Sequence, residues 1–229
     1  MSTNICKSEI KCAVFDLDGT LLNTIKTITH YLNLALKKNG MREVSEEECK
    51  AFVGDGVRML LLRAIDARGE YSDALYARMF TDYNEAYDAE PHYLTEAYDG
   101  IHEMLNELKA RGIRLAVLSN KPHFATVATI EKFFPIIFDT VAGGREGVPL
   151  KPDPTSLLAT ISELDCTPDE CVYIGDSDVD MYTAKNAGVA LTLAVTWGFR
   201  TREQLRLAGA TLFCDSANEL SRLIFTKNT

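Results

Sequence analysis

Several polar residues in this chain have types and spacings suited to chemistry on phosphate groups. Asp16 and Asp18 stand one residue apart at the end of the apolar run CAVF, and Gly-Thr follows them. Two carboxylates this close repel each other, so a nearby cation would stabilise them. Asp176 likewise ends the apolar run CVYIG, and Lys151 lies in the segment LKPDP. Carboxylates, a lysine and hydrogen-bond donors around a cation form the kind of site that phosphoryl transfer requires.

The paired aspartates suggest two separate roles. One carboxylate can attack phosphorus as a nucleophile and form an aspartyl phosphate. A second carboxyl group two residues further on can then act as the acid or base. Lys151, Ser119 and the main-chain N–H groups after Asp16 could surround the phosphate dianion, and hard oxygen ligands with room for water suit Mg²⁺.

The secondary structure predicted around these residues would bring them together. Strands are predicted at 12–16, 113–120, 136–141, 171–176, 189–195 and 211–214, with helices between them except before the last strand, where a loop through Trp197-Gly198 is predicted. Strands alternating with helices of this size indicate right-handed βαβ units and a parallel sheet covered on both faces. Ligands bind at the carboxyl ends of the strands in such sheets. We therefore expect Asp16, Ser119, Lys151 and Asp176 to meet at one edge.

A helical block interrupts this alternation after the first strand. Four helices are predicted between about Thr24 and Glu90; the first ends near Asn39, and a capping box from Ser45 to Glu48 opens the second. The predicted fold class is α/β, a doubly wound, Rossmann-like parallel sheet with a small all-helical cap domain inserted after the first strand. The predicted domains are a core at 1–22 and 92–229 and a cap at 23–91.

Composition narrows the range of partners and compartments. The 229-residue chain has a formal net charge of −9, which argues against nucleic acid as a partner. No apolar run approaches the roughly 20 residues of a membrane span. The polar start MSTNICKSEIK does not resemble a signal peptide, and the six cysteines lack C-x-x-C spacing. We expect a cytoplasmic protein with reduced thiols, a small phosphorylated metabolite as its partner, and a monomeric or homodimeric state.

Four motifs together closely resemble the haloacid dehalogenase superfamily of Mg²⁺-dependent phosphatases, over nearly the whole chain. They occur in the family's order as DLDGT (16–20), Ser119 in LSNKP, Lys151 in LKPDP and GDSDVD (175–180). The segments FVGDGVRMLL, SNKPHFAT and VTWGFR are most similar to the phosphoglycolate phosphatase-like branch. One departure is Asn23-Thr24, where that branch usually has Asp-Ser.

The resemblance implies a role for each matching residue. Asp16 would be the nucleophile and a metal ligand, and Asp18 the general acid and base whose carbonyl oxygen also binds the metal. The implied Mg²⁺ ligands are Asp16, Asp18, Asp176 and Asp180, the last either directly or as a support. The implied phosphate-binding and orienting residues are Thr20, Ser119, Asn120 and Lys151. Gly54, in a turn whose N–H groups could face the substrate, and Arg58 are further candidates for substrate binding.

The predicted function is Mg²⁺-dependent hydrolysis of a small, phosphoglycolate-like phosphomonoester through an aspartyl-phosphate intermediate. A sugar phosphomutase similar to β-phosphoglucomutase, a pyrophosphatase or a nucleotidase could use the same core. A non-enzymatic phosphate sensor is disfavoured because no catalytic position is replaced. The motif DSDVD also fits the first positions of a calcium loop, but Met181 and Ala187 occupy the places of its glycine and final glutamate.

Overall fold

A computed structural model of the chain describes residues 9–69 and 71–226. Its strands are β1 (Cys12–Phe15), β2 (Leu22–Asn23), β3 (Glu96–Ala97), β4 (Arg114–Pro122), β5 (Thr140–Gly144), β6 (Cys171–Gly175), β7 (Leu191–Val195) and β8 (Phe213–Cys214). Its helices are α1 (Ile25–Lys38), α2 (Glu46–Phe52), α3 (Gly56–Asp66), α4 (Asp73–Ala89), α5 (Ile101–Ala110), α6 (His123–Phe133), α7 (Thr155–Glu163), α8 (Asp178–Ala187), α9 (Arg202–Leu207) and α10 (Ala217–Thr226).

Six of the strands form one parallel sheet in the order β5-β4-β1-β6-β7-β8. The short apolar strand β1 lies near its middle, with Cys12 aligned with Arg114 of β4 on one side and Cys171 of β6 on the other. The side chains of β1 alternate between two hydrophobic clusters, Ala13 and Phe15 in one and Cys12 and Val14 in the other.

Helices cover both of these faces. Buried residues of α5, α6 and α10 join the cluster that contains Phe15, while those of α7 and α8 join the cluster that contains Val14. An apolar strand buried on both faces in this way is typical of a doubly wound sheet. The predicted α/β, Rossmann-like fold class is therefore confirmed.

The helices α1 to α4 pack around a hydrophobic cluster of their own. Leu32, Leu61 and Met79 are fully buried within it. The predicted capping box at the start of α2 is present, with the Ser45 side chain accepting from the Glu48 N–H and the Glu48 carboxylate accepting from the Ser45 N–H. The domain limits at 22/23 and 91/92 stay a prediction.

A small antiparallel ribbon connects the helical block to the sheet. Strand β2 leads into α1 and pairs with β3, which follows α4, so that Leu22 aligns with Ala97 and Asn23 with Glu96. The carbonyl oxygen of Leu22 also accepts from the Gly19 N–H at 2.8 Å. This ribbon was not predicted, because strands of two residues carry no readable periodicity.

Two other elements differ from the predictions. The strand predicted at 136–141 is displaced to β5, because Asp139 hydrogen-bonds across to the main chain of Leu115 and Ile136 lies at a turn, 94 % exposed. Helix α9 lies in a segment interpreted as loop. Among the described residues, no helix is long and apolar enough to cross a membrane. The described cysteines are free thiols, and Cys6 lies outside the described residues.

Candidate active site

Asp16 and Lys151 lie at the base of a cavity at the carboxyl edge of the sheet. Asp16 follows β1, and Lys151 comes from the loop between β5 and α7. Lys151 Nζ donates to Asp16 Oδ1 at 2.7 Å, and the two residues are only 5 % and 8 % exposed. Burial raises the pKa of the Asp16 carboxyl well above its usual range, against the opposing charge of Lys151.

Asp176 stands at the end of β6, beside this pair. Its carboxylate accepts from the Thr20 hydroxyl at 3.1 Å and from the Phe199 N–H at 2.7 Å. Burial and the charge of Asp180 raise the pKa of Asp176 to about 7, despite these two hydrogen bonds. Gly19, at a φ of +93°, lies so close that a Cβ atom there would collide with the carboxyl group of Asp176.

Asp180 lies fully buried in the first turn of α8. Its Oδ1 accepts from Lys151 Nζ at 2.7 Å and from the Tyr173 hydroxyl at 3.0 Å. Its Oδ2 accepts from the Ser177 hydroxyl and N–H, at 2.6 and 3.1 Å. Both oxygens therefore already have protein donors, and this carboxylate holds Lys151 in place together with Asp16.

The three buried carboxylates could hold a metal ion. Asp16, Asp176 and Asp180 each offer one oxygen, and these oxygens lie within 4.8 Å of one another. A single lysine, Lys151, forms ion pairs with two of them, so negative charge remains in excess, consistent with the raised pKa of Asp176. An all-oxygen anionic donor set suits a hard divalent cation. The residues present therefore fit such an ion.

Asp18 lies further out on the cavity wall and has a different partner. Its two carboxylate oxygens accept from Lys121 Nζ at 3.1 and 3.3 Å. Lys121 also lies near the cap, with Nζ 5.3 Å from the ring centroid of Tyr87 in α4. Ser119 lines the cavity close by, and its hydroxyl accepts from the Lys121 N–H at 3.2 Å.

Asn120 lines the cavity, but its side-chain amide already forms hydrogen bonds within the protein. Its Oδ1 accepts from the Lys151 N–H at 2.8 Å, and its Nδ2 donates to the Lys151 carbonyl oxygen at 3.1 Å. The same Nδ2 donates to the carbonyl oxygen of Gly54, in the α2–α3 connector, at 3.0 Å. Asn120 therefore positions the main chain of Lys151 and links the core to the helical block, while Gly54 lies at the cavity as predicted.

The helical block lines one side of the cavity, which has a volume of about 120 Å³. We define the cap wall as the apolar and aromatic residues that it contributes: Ile28, Val53, Val57, Leu60, Tyr83 and Tyr87. Arg58, a predicted substrate-binding residue, is exposed on α3 and is not among the lining residues. Val57 and Leu60 are three residues apart and turn the same face of α3 inward, so the residue at position 58 points away from it.

Comparisons with known proteins agree with this arrangement. Residues 13–194 match the haloacid dehalogenase-like hydrolase family. Phosphoglycolate phosphatase of Cereibacter sphaeroides is 38 % identical over 189 residues, 82 % of this chain and 85 % of that protein. Phosphoglycolate phosphatase 1 of Pseudomonas aeruginosa is 31 % identical over 217 residues, 92 % of this chain and 78 % of that protein.

The chain belongs to the haloacid dehalogenase-like hydrolase family. A crystal structure of a provisionally assigned phosphoglycolate phosphatase from Lactobacillus delbrueckii subsp. bulgaricus superposes with a TM-score of 0.90 at 32 % identity, covering 95 % of this chain and 99 % of that one. CbbY from Rhodobacter sphaeroides, solved in complex with phosphate, superposes with a TM-score of 0.77 at 26 % identity, covering 92 % and 96 %. The predicted resemblance to the phosphoglycolate phosphatase-like branch is confirmed, and the chain is a phosphoric monoester hydrolase.

Sequence reasoning missed three residues of this hydrolase site. Tyr173 donates to Asp180 from within β6, Lys121 pairs with Asp18, and Arg200 lines the cavity after β7. Arg200 donates to the carbonyl oxygens of Lys50 and Val53 at the end of α2 and to Asp178 Oδ1 at 3.1 Å. Lys121 and Arg200 stand in SNKPHFAT and VTWGFR, two segments that pointed to this branch without revealing a role for either cation.

Proposed function

We propose that this hydrolase is a Mg²⁺-dependent phosphatase that acts on a small phosphomonoester such as phosphoglycolate, through a covalent intermediate on Asp16. One observation carries the proposal. Asp16 lies buried at the base of a small cavity, with Lys151 on Oδ1 at 2.7 Å and two further carboxylates close by. A carboxylate oriented by a lysine can serve as a nucleophile toward phosphorus.

The residues of the site suit two successive displacements. In the first, an Asp16 oxygen forms a bond to phosphorus, the bond from phosphorus to the alcohol oxygen breaks, and Asp18 gives its proton to that oxygen. In the second, Asp18 takes a proton from water as the water oxygen attacks phosphorus. The bond from phosphorus to Asp16 then breaks, and inorganic phosphate leaves. Ser119 and Lys151 line the cavity with Asp16 and would donate to the phosphoryl oxygens of a bound ester.

Asp16, Asp176 and the main-chain carbonyl group of Asp18 would hold Mg²⁺, with Asp180 supporting the group through Lys151. When bound, Mg²⁺ offsets the charge of the carboxylates and of the phosphoryl group. Thr20 fixes the carboxylate of Asp176 through its hydroxyl. The cavity of about 120 Å³ suits a small ester.

Release of inorganic phosphate from phosphoglycolate tests this proposal. We expect turnover with Mg²⁺, none in excess chelator, and restoration when Mg²⁺ is returned. Asp16→Asn should lower turnover by roughly a thousandfold or more while the circular dichroism spectrum is unchanged. Near-parental activity of that variant, or full activity in chelator, would contradict the mechanism. Isomerisation of a sugar phosphate without net phosphate release would instead support the phosphomutase alternative.

A further inference from the structure

Lys121 is a buried cation whose placement the general chemistry above does not require. Its side chain is 9 % exposed, and Nζ donates to both carboxylate oxygens of Asp18 at 3.1 and 3.3 Å. Among residues 9–69 and 71–226, Asp18 is the one carboxylate within ion-pair distance of this ammonium. Burial opposes the charge of Lys121, but Asp18 and Tyr87 outweigh it and raise the pKa of the lysine, so it stays protonated.

Lys121 differs from the other two cations that line the cavity. Lys151 is held between Asp16 and Asp180. Arg200 is occupied by the carbonyl oxygens at the end of α2 and by Asp178. An ammonium group has three N–H donors, and a single carboxylate beside it leaves capacity for another acceptor. Lys121 is therefore the cation best placed to contact a bound molecule at this end of the cavity.

The position of Lys121 relates it to one part of the substrate. In the proposed mechanism Asp18 serves the alcohol oxygen, so the alcohol part of the ester must lie next to Asp18. Since Lys121 Nζ is 3.1 Å from Asp18 Oδ1, a group on the neighbouring carbon atom of the alcohol lies within its reach. Tyr87 and the rest of the cap wall lie on the other side, together with Asn84 and Asp88, and none of the lining residues that the helical block contributes is a cation.

We propose that Lys121 is a specificity-determining residue that binds a carboxylate on the alcohol part of the ester. The substrate class would then be phosphate esters of short α-hydroxy acids, in which one carbon atom separates the ester oxygen from the carboxylate. This inference rests on the proposed function. A buried substrate carboxylate needs a cation as its partner, and the Lys121 ammonium group would supply one through a charge-assisted hydrogen bond.

The test compares two esters that differ in the carboxylate. Phosphoglycolate and ethyl phosphate have similar length, and only phosphoglycolate ends in a charged group. For each enzyme the ratio of kcat/KM for phosphoglycolate to kcat/KM for ethyl phosphate is measured with Mg²⁺ present. Because Lys121 also contacts Asp18, its loss lowers turnover of both esters, but that common loss and any loss of folded protein cancel in the ratio.

We expect Lys121→Met and Lys121→Gln to lower this ratio roughly 10- to 100-fold, the range of a charge-assisted hydrogen bond. Lys121→Arg should keep most of the parental ratio, since the charge remains. Arg200→Gln, which removes the other cation near the cap, should leave the ratio within about threefold of parental.

The outcomes separate this inference from the proposed function. A parental enzyme that releases phosphate from both esters with a ratio near one, or a ratio unchanged in Lys121→Met and Lys121→Gln, overturns the role of Lys121 alone. A parental enzyme that releases phosphate from neither ester, nor from an aryl phosphate, overturns both proposals.

Discussion

The two walls of the cavity differ in the chemistry of their side chains. The core wall, which we define as Asp16, Lys151, Asp176 and Asp180, consists of charged groups, in which Lys151 pairs with Asp16 and Asp180 and the three carboxylates lie close together. The cap wall is apolar and aromatic, and few polar contacts hold it to the core. Chemistry common to the family would therefore reside in the first wall, and the choice of ester in the second and in Lys121 between them.

The largest expected effect comes from breaking the core wall. Lys151→Met leaves buried carboxylates without their shared cation, so the free energy of unfolding should fall by about 3–5 kcal/mol in urea titrations without metal. Turnover should fall at least roughly a hundredfold. Lys185→Met, on the exposed side of α8, is the matched control and should change stability by no more than about 0.5 kcal/mol. Equal stability of the two variants would show that the core wall does not depend on this charge.

Metal binding should sharpen the comparison, because it concerns the core wall alone. At about 100 times its dissociation constant, Mg²⁺ should stabilise the parental protein by about 2.7 kcal/mol, seen as a Tm increase of about 5 °C or more. In Asp176→Asn the same Mg²⁺ concentration should raise the Tm by less than about 1 °C. Asp178→Asn, two residues away and 45 % exposed, should keep the parental increase. An undiminished increase in Asp176→Asn would rule out Asp176 as a ligand.

Weakening the contact between the walls should have a moderate effect. Arg200→Ala removes the donors to the carbonyl oxygens of Lys50 and Val53, so amide hydrogen exchange in residues 50–56 should accelerate. The KM for phosphoglycolate should rise roughly 3- to 10-fold. Arg202→Ala breaks an exposed ion pair with Asp215 and a contact with the Phe213 ring, neither of which involves residues 50–56, and should alter neither measurement. Identical exchange in the two variants would contradict a role for Arg200 in holding the cap.

The smallest expected effect compares two capping boxes, that of Ser45 and Glu48 in the helical block and that of Thr167 and Glu170 before β6. Hydrogen bonds from Lys11 and Thr167 lower the pKa of Glu170 to about 2, and those from Ser45 lower the pKa of Glu48. A carboxylate with a lowered folded-state pKa stabilises the fold above its unfolded-state pKa and loses that effect as pH falls through the folded value. Near neutral pH, the Tm values of Glu170→Gln and Glu48→Gln should thus be lower than the Tm of the parental protein. The difference for Glu170→Gln should shrink as pH falls through about 2 and vanish below that value; an undiminished difference there would exclude this charge effect.

The sequence was sufficient where the chemistry lay at the ends of strands. Asp16 and Asp176 each end an apolar run, and parallel strands bring such ends to one edge, so their proximity followed from topology. Lys151 was found through its motif, although its contact with Asp180 depends on the first turn of α8. The capping box at Ser45 was readable because it is local.

The missed features depend on contacts between distant segments. The β2–β3 ribbon pairs two short strands that are far apart in the sequence, with Leu22 and Ala97 separated by 75 positions. No local pattern marks either strand. Arg58 was predicted to bind substrate but does not line the cavity, whereas Arg200 lines the cavity and was not predicted. A helix position facing away from the cavity and a loop position facing into it carry the same residue type, and only the packing of α3 and the loop after β7 distinguishes them.

The attachment of the α2–α3 connector has a consequence for how such enzymes diversify. Arg200 and Asn120 donate to the carbonyl oxygens of Lys50 in the last turn of α2 and of Val53 and Gly54 in the connector, groups that every amino acid possesses. These hydrogen bonds therefore do not depend on the side chains of those three residues. Substitutions in this stretch, natural or designed, can therefore change which ester is bound. The helical block would still be held to the core by the same main-chain contacts.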